Sequence, residues 1–383
     1  MQNSIPKKAI IIGGGIGGMT AAIALKRAGL DVTVYERADE LREVGSGLPL
    51  WSNALRSFHK IGLTDVYETL GAEVSAGSVS TWQGDVLADL RTVELLKRLG
   101  KINMVVHRAE LLAWLLKTLG EDRVQLGMTC VGFAQEAIGV SARFTDGTEA
   151  HGDVLIGADG IHSIIRTQLF GLIKPRYVGY TCWRGLAHLT RTDLETWAWG
   201  KGYQFGITPM SQGRAYWFAQ KYTPEGVKDK SGGRKSEVFE LFHDWHDPIP
   251  AVIEATADED ILRNPIYESE PLRHWSSGRV TLLGDAAHTM TPNLGQGACQ
   301  AIEDAVELAE CLKAEQDIVS ALKHYENRRI TRTKRIALLA RLIGTVVQWD
   351  SPMACRIRNA FIKRTPVSLE LKSVLWIIDY KVR

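Results

Sequence analysis

The run Ala9-Ile10-Ile11-Ile12, followed by Gly13-Gly14-Gly15-Ile16-Gly17-Gly18, constrains this chain more than any other segment. A short Ile-rich run reads as a buried parallel strand. Gly13, Gly15 and Gly18 stand at the three glycines of G-x-G-x-x-G. Gly13 can make the tight turn. Gly15 has no Cβ and lets a pyrophosphate approach the backbone. Gly18 lets helix and strand pack closely. Ile16 and Gly17 complete the candidate phosphate contacts, where a starting helix offers free N–H groups and a positive dipole end. Helical apolar spacing continues from Met19 to Ala28 and stops at Gly29, a C′ residue. A second strand follows from Asp31 to Glu36. The unit is βαβ, and Glu36 at the end of its second strand can accept hydrogen bonds from both hydroxyls of a ribose. A carboxylate there favours a free 2′-OH, as in FAD or NAD, over a 2′-phosphate.

The 383 residues are enough for two domains, and the apolar and charged shares (45% and 23%) are those of an ordinary globular protein. Lys plus Arg is 46 against Asp plus Glu 44, a formal charge of +2, which argues against a nucleic-acid partner. The five cysteines are widely spaced with no C-x-x-C pair, so neither a disulfide framework nor a metal site is expected. Met1 to Lys8 leads straight into the first strand without a signal-peptide pattern. No apolar run reaches the ~20 residues of a membrane span, so a cytoplasmic protein is expected.

Further along, strand-like sequence spans Gly77 to Leu90 and a helix His107 to Leu119. Val140 to Phe144 and His151 to Ile156 read as a hairpin around Thr145-Asp146-Gly147-Thr148. Tyr177 to Tyr222 is β-rich, Ser236 to Trp245 helical, and Arg279 to Asp285 again an apolar strand entering glycine. Long helices are expected over Gly297 to Leu312 and Ile318 to about Val347. The fold class is α/β: a Rossmann-like nucleotide-binding domain interleaved with an antiparallel-sheet domain, plus C-terminal helices. The expected pieces are 1–72, 101–176 and 274–350 for the nucleotide-binding domain, 73–100 and 177–273 for the sheet domain, and 351–383 for the C-terminal segment.

Two more acidic loops follow apolar strands, at the carboxyl ends where ligands of open α/β sheets sit. One is Gly157-Ala158-Asp159-Gly160-Ile161-His162-Ser163-Ile164-Ile165-Arg166. The other is Gly284-Asp285-Ala286-Ala287-His288-Thr289-Met290-Thr291-Pro292, continued by Leu294-Gly295-Gln296-Gly297. Asp285 can accept from the hydroxyls of a polyol. Gly295 and Gly297 allow a flat ring to approach the backbone. A helix starting near Gly297 can stabilise negative charge on that ring.

With these three motifs in this order, the chain resembles the class A (single-component) FAD-dependent monooxygenases over nearly its whole length. It is most similar in style to the branch of salicylate hydroxylases, FAD-dependent urate hydroxylases and zeaxanthin epoxidases. Glu36-Arg37, Gly45-Ser46-Gly47 and Val106-His107-Arg108-Ala109-Glu110-Leu111-Leu112 match that branch. The resemblance implies FAD as cofactor, held by Glu36, Arg37, Gly47, Arg108, Val131, Asp159, Asp285, Gly295, Gln296 and Gly297 besides the first turn. It implies NADH or NADPH as co-substrate, bound without a second nucleotide fold. It also implies oxygen transfer through a flavin C4a-hydroperoxide to a small aromatic, heterocyclic or polyene substrate. Pro292, Arg184 and Tyr216 are the candidates beside the reacting centre, and the Gly45-Ser46-Gly47 loop is the segment expected to accommodate ring movement.

Plainer readings stand beside these. Asp159 can simply bond its own turn, Asp285 can cap a helix, and Arg108 can be a solvated helix charge. His288 reads as a structural loop residue. Of Trp183, Tyr203, Tyr216, Trp217 and Phe218, strand alternation turns about half away from any pocket. Tyr203 stands where the resemblance places the substrate-binding arginine of urate hydroxylases, a departure that argues against urate. Ser368 to Arg383 reads as a terminal helix packed back on the fold rather than a membrane contact, in a monomer or homodimer. A flavin-dependent halogenase or FAD dehydrogenase/reductase is the alternative on this fold. The halogenase W-x-W-x-I-P pattern is broken after Trp197-Ala198-Trp199 by Gly200-Lys201.

Overall fold

The computed structural model describes residues 7–41, 46–74, 77–89, 99, 103–189 and 195–382. Its central layer is a six-stranded sheet in the order β18 (Ser276–Ser277), β19 (Val280–Leu282), β12 (Val154–Gly157), β1 (Lys8–Ile12), β2 (Asp31–Tyr35) and β8 (Val124–Gln125). Every pairing is parallel except β18 with β19. Ile10, Ile11, Leu155, Ile156, Val280 and Leu282 are fully buried, as strands covered on both faces must be. Helix α1 (Ile16–Arg27) crosses from β1 to β2.

Three strands, β3 (Gly47–Trp51), β7 (Asn103–His107) and β4 (Ala72–Val74), form a small antiparallel sheet. Helices α2 (Ser52–Lys60) and α3 (Val66–Leu70) lie between β3 and β4, and α4 (Arg108–Leu119) follows β7. A second small sheet orders β11 (Glu149–Gly152), β10 (Val140–Phe144) and β9 (Cys130–Gln135). The expected hairpin strand His151 to Ile156 is therefore two strands. Residues 149–152 pair with β10, whereas Val154–Gly157 leaves to join β1 and β19 in the central sheet. The apolar quartet Val154 to Gly157 is buried throughout, and burial on both faces selects the parallel sheet. Helix α5 (Ile164–Phe170) follows the Asp159 loop.

The large sheet, antiparallel as expected except where β14 pairs parallel with β5, orders β17 (Leu262–Glu268), β13 (Arg176–His188), β16 (Arg214–Tyr222), β15 (Tyr203–Met210), β14 (Thr196–Trp199), β5 (Ser78–Thr81) and β6 (Val86–Asp89). One face packs on α6 (Gly233–Phe242) and α7 (Ile249–Glu254), enclosing Trp183, Phe205, Trp217, Phe242 and Ile253. The chain then passes through α8 (Asp285–His288), α9 (Gly297–Ala314), α10 (Ile318–Val347), α11 (Pro352–Arg364) and α12 (Val367–Ile378).

Helices α9 and α10 are joined by buried charges. The Arg329 guanidinium, fully buried, donates Nε to Asp304 Oδ1 at 2.7 Å, Nη2 to Gln300 Oε1 at 2.7 Å, and Nη1 to Glu303. Arg332 donates to both Glu303 oxygens at 2.8 and 2.9 Å. The remaining Asp304 oxygen accepts from Gly284 N at 3.1 Å and contacts His288 Nε2 at 2.5 Å. Burial alone raises both carboxyls. Arg329 and Arg332 at Glu303, and His288 and Arg329 at Asp304, outweigh it and leave both below the usual carboxylate range. Depressed folded-state values contribute stability that is full above about pH 4 and is lost as pH falls below it.

The C-terminal helix packs back on this assembly. Arg332 donates to the carbonyls of Trp376 (3.0 Å) and Ile377 (2.6 Å), while Ser52 and Arg56 donate to Ile378 O at 2.7 and 2.9 Å. Cations thus satisfy the orphan carbonyls at the end of α12. No helix among the described residues is long and apolar enough to cross a membrane. Arg329→Met should remove the fully buried cation shared by Glu303 and Asp304 and cost roughly 3–5 kcal/mol. Urea unfolding at pH 7 checks this, and an unchanged midpoint contradicts it.

Candidate active site

The first turn takes its shape from contacts that only glycine permits. Gly13 has φ of +109°, and a Cβ there would strike the carbonyl of Ala158. A Cβ on Gly18 would strike the carbonyl of Gly13. A Cβ on Gly17 would lie 2.8 Å from Leu283 Cδ2, so its smallness serves packing. Gly15 differs: a Cβ there meets nothing within 4 Å, so the turn opens onto free space. Gly15 is also the N-cap of α1, which has no side-chain cap and no acidic residue in its first turn. This uncapped, acid-free helix start suits an anion. Glu36 Oε2 accepts from Gly14 N at 2.6 Å and Oε1 from Ala38 N at 3.0 Å, bracing the turn. Arg37 is exposed beside it.

Asp159 does two things. Its Oδ2 accepts from Ile164 N at 2.8 Å and Ile165 N at 3.3 Å, the local turn role. Its Oδ1 is buried without a partner. Burial raises this carboxyl above its ordinary range against the opposing bonds from Ser163 and the loop amides. A buried acceptor left open beside an open glycine turn is a place for a ligand donor. Asp285 heads α8 and is exposed to solvent. Desolvation by the surrounding protein raises its carboxyl, opposed by His288, Arg108 and Arg166. The charge of Arg108, the exposed first residue of α4, bears on Asp285, and its backbone N–H donates to Ser46 O at 3.0 Å. Sequence reasoning misses Arg166. Buried, it donates to Ile161 O at 2.5 Å and Ala286 O at 3.2 Å, tying the two acidic loops together. An arginine seven residues after Asp159 inside the motif is the signal that could have found it.

Pro292 opens a single 3₁₀ turn, Pro292–Leu294. Gly295 then takes φ of +59°, where a Cβ would lie 2.9 Å from Pro49 Cγ. Gly297 opens onto free space at the N-terminus of α9, which also lacks a side-chain cap and first-turn acids. Gln296 is buried, and its Oε1 accepts from Asn53 (3.0 Å) and Gln300 (2.9 Å), so its carboxamide oxygen is engaged within the protein. Val131 lies on edge strand β9 with 53% of its surface exposed. Gly45 lies outside the described residues, and Gly47 belongs to strand β3, where the ring of Tyr216 fills the space a Cβ would need.

That contact brings the large sheet onto the nucleotide-binding layer. Register pairs Arg184 with Phe218, Leu186 with Tyr216 and Gly206 with Phe218, so these side chains share one face. Arg184 lies beside Cys182 and the Tyr216 hydroxyl. Trp183 and Trp217 take the opposite face and are core residues under α6 and α7. Tyr203 also turns away, its ring edge-on to Phe242 at 6.0 Å. The inward residue is its neighbour Gln204, 3.3 Å from Asn293. The expectation that Tyr203 occupies a substrate-binding position is thus corrected by strand parity. His288 is structural, buried between Asp304 and the Trp275 ring.

Residues 7–339 match the family described as the FAD binding domain. The chain belongs to this family. It is 39% identical over 357 residues to an aurachin C monooxygenase/isomerase of Stigmatella aurantiaca, covering 92% of this chain and 93% of that protein. It is 36% identical over 340 residues to an FAD-dependent urate hydroxylase of Klebsiella pneumoniae, covering 87% and 88%. Among solved structures, Klebsiella pneumoniae HpxO complexed with FAD and uric acid superposes with a TM-score of 0.91 at 32% identity, covering 97% of this chain and 96% of that one. The chain is an FAD-dependent monooxygenase of the branch that its motifs indicate.

The residues present fit FAD: two uncapped helix starts beside open glycines, and an unpartnered Asp159 oxygen between them in sequence. In this flavoprotein the raised carboxyl of Asp285 costs the cofactor-free fold a little stability at neutral pH, an effect reduced by its solvent exposure and relieved as pH falls and the group protonates. Asp285→Asn should raise the melting temperature of the apoprotein and weaken FAD binding at least tenfold. Thermal unfolding and flavin fluorescence titration read the two effects; native FAD affinity in the variant contradicts the assignment.

Proposed function

We propose that this monooxygenase oxygenates an uncharged, planar heteroaromatic substrate, with NAD(P)H as reductant and O2 as oxidant. The observation that carries the substrate class is a neutral polar cluster at the meeting of the large sheet, the Pro292–Leu294 turn and α10. Gln204 Nε2 donates to Gln220 Oε1 and, at 3.3 Å, to Asn293 Oδ1; Asn293 Nδ2 donates to the Tyr180 hydroxyl at 2.7 Å. Primary amides offer donors and acceptors together and can match a lactam or a ring N–H beside a carbonyl. An anionic substrate would meet no cation among these four groups, and unpaired buried charge is costly. Arg184, on the same face, is already engaged by Tyr216 and Cys182. The chain is more similar in identity to a protein named for aurachin C than to the urate hydroxylases, which supports a substrate other than urate.

FAD held between the starts of α1 and α9 supplies hydride acceptance and oxygen activation. The chain's own groups bind, orient and dry the site. We assign the pyrophosphate to the α1 amides and Gly15, the adenosine ribose to Glu36, the ribityl segment to Asp285 with Arg108, and the ring to Pro292, Gly295 and Gly297. Tyr216 and Phe218 close the sheet side against water. Burial raises the Tyr180 hydroxyl against the bond from Asn293, and raises Tyr216 against Arg184. Both stay protonated near neutral pH and act as donors, so substrate is positioned by hydrogen bonds rather than by proton removal at either tyrosine.

The test is a panel assay following NAD(P)H oxidation, O2 uptake and product together. Neutral bicyclic heteroaromatics should give coupled product with higher kcat/KM than urate or salicylate. Asn293→Asp should raise KM for the neutral substrate at least tenfold while FAD stays bound. Preferential turnover of urate or salicylate would overturn the substrate class.

A further inference from the structure

Helix α11 has its polarity reversed. Its buried side carries Cys355 and Arg358, and its solvent side carries Met353, Ile357 and Phe361, exposed by 68, 62 and 72%. Their i, i+4, i+8 spacing places the three on one stripe. The helix is not loosely attached. Arg358 donates to Val347 O at 3.1 Å and Gly200 O at 3.1 Å, and Cys355 Sγ donates to Trp349 O at 3.1 Å. The stripe is therefore presented outward by a clamped helix. Of the seventeen large apolar side chains exposed among the described residues, eight fall within residues 338–376, so the exposure is concentrated in this part of the chain.

The charge carried by the helix itself has one sign. Arg356, Lys363 and Arg364 are exposed, and Pro352–Arg364 contains no Asp or Glu. By helical spacing Arg356 and Lys363 run along one flank of the stripe and Arg364 lies at its end. Trp349 and Trp376, both partly in solvent, are the side chains that favour a membrane–water boundary. A second copy of this chain docking through the same stripe about a two-fold axis would bring like charges together. An anionic surface would meet them with opposite charge. Thirteen residues are too few to span a bilayer but enough to lie in its interface.

The geometry points to α11 as a membrane-docking face that seats the enzyme on anionic phospholipid, with Met353, Ile357 and Phe361 entering the acyl boundary and Arg356, Lys363 and Arg364 pairing with headgroups. Docking is separate from the cofactor and substrate assignments and stands or falls independently of them.

The test is flotation of the full-length, FAD-loaded enzyme with vesicles of 30% phosphatidylserine in phosphatidylcholine, and with phosphatidylcholine alone. The enzyme should float with the anionic vesicles and much less with neutral ones, and 0.5 M NaCl should weaken binding. Ile357→Ser with Phe361→Ser should lower partitioning at least tenfold while flavin content and melting temperature stay native. Arg356→Glu with Lys363→Glu should do the same through charge, so a fold defect in one pair does not decide the matter. Failure of the wild type to float, or flotation of both double variants equal to that of the wild type, overturns the proposal. So does a wild-type dimer in light scattering that the Ile357→Ser/Phe361→Ser pair converts to monomer without any vesicle binding.

Discussion

Asp304 is the joint on which the nucleotide-binding half turns. One oxygen takes the buried Arg329 guanidinium and the other takes Gly284 N–H and His288. A single carboxylate thereby fixes the angle between α9 and α10 and the path of the loop that carries Asp285. Burying such charges has no favourable outcome unless each finds its partners, and here the set includes Glu303, Gln300 and Arg332. Because Arg332 also caps the end of α12, the same network reaches from the Gly284 loop to the C-terminal helix.

The second constraint is strand parity. In the large sheet, even-numbered residues of β13, β15 and β16 face the nucleotide-binding layer and odd-numbered ones pack under α6 and α7. This separates a core of Trp183, Phe205 and Trp217 from an opposite face that carries Arg184, Gln204, Tyr216, Phe218 and Gln220. The face is locked to the other layer where the Tyr216 ring lies on Gly47, a position at which any larger residue would collide.

Much of this is legible in the sequence for physical reasons. The βαβ start, the two acidic loops and the helices at Gly297 and Ile318–Val347 carry strong local signals: buried apolar runs, glycines at turns and sustained helical spacing. Local signals fail where the answer depends on a partner distant in sequence. Nothing between His151 and Ile156 shows that the chain changes sheets at Asp153, since that is decided by β1 and β19. Its aromatic ring makes Tyr203 a natural pocket candidate, but register turns it toward Phe242 and leaves the plainer Gln204 inside. Gln296 sits in a cofactor motif, yet Asn53 and Gln300, brought in by α2 and α9, claim its side-chain oxygen.

The claim that long-range charge pairing shapes the flavin loop is tested most directly by measuring FAD affinity of Asp304→Asn. Asp304 is buried behind the loop and is assigned no cofactor contact, and asparagine keeps its shape while discarding the charge that holds Arg329 and His288. The account predicts a dissociation constant for FAD at least tenfold above that of the parent, in a protein that still unfolds cooperatively. A folded Asp304→Asn variant that binds FAD as tightly as the parent would contradict it.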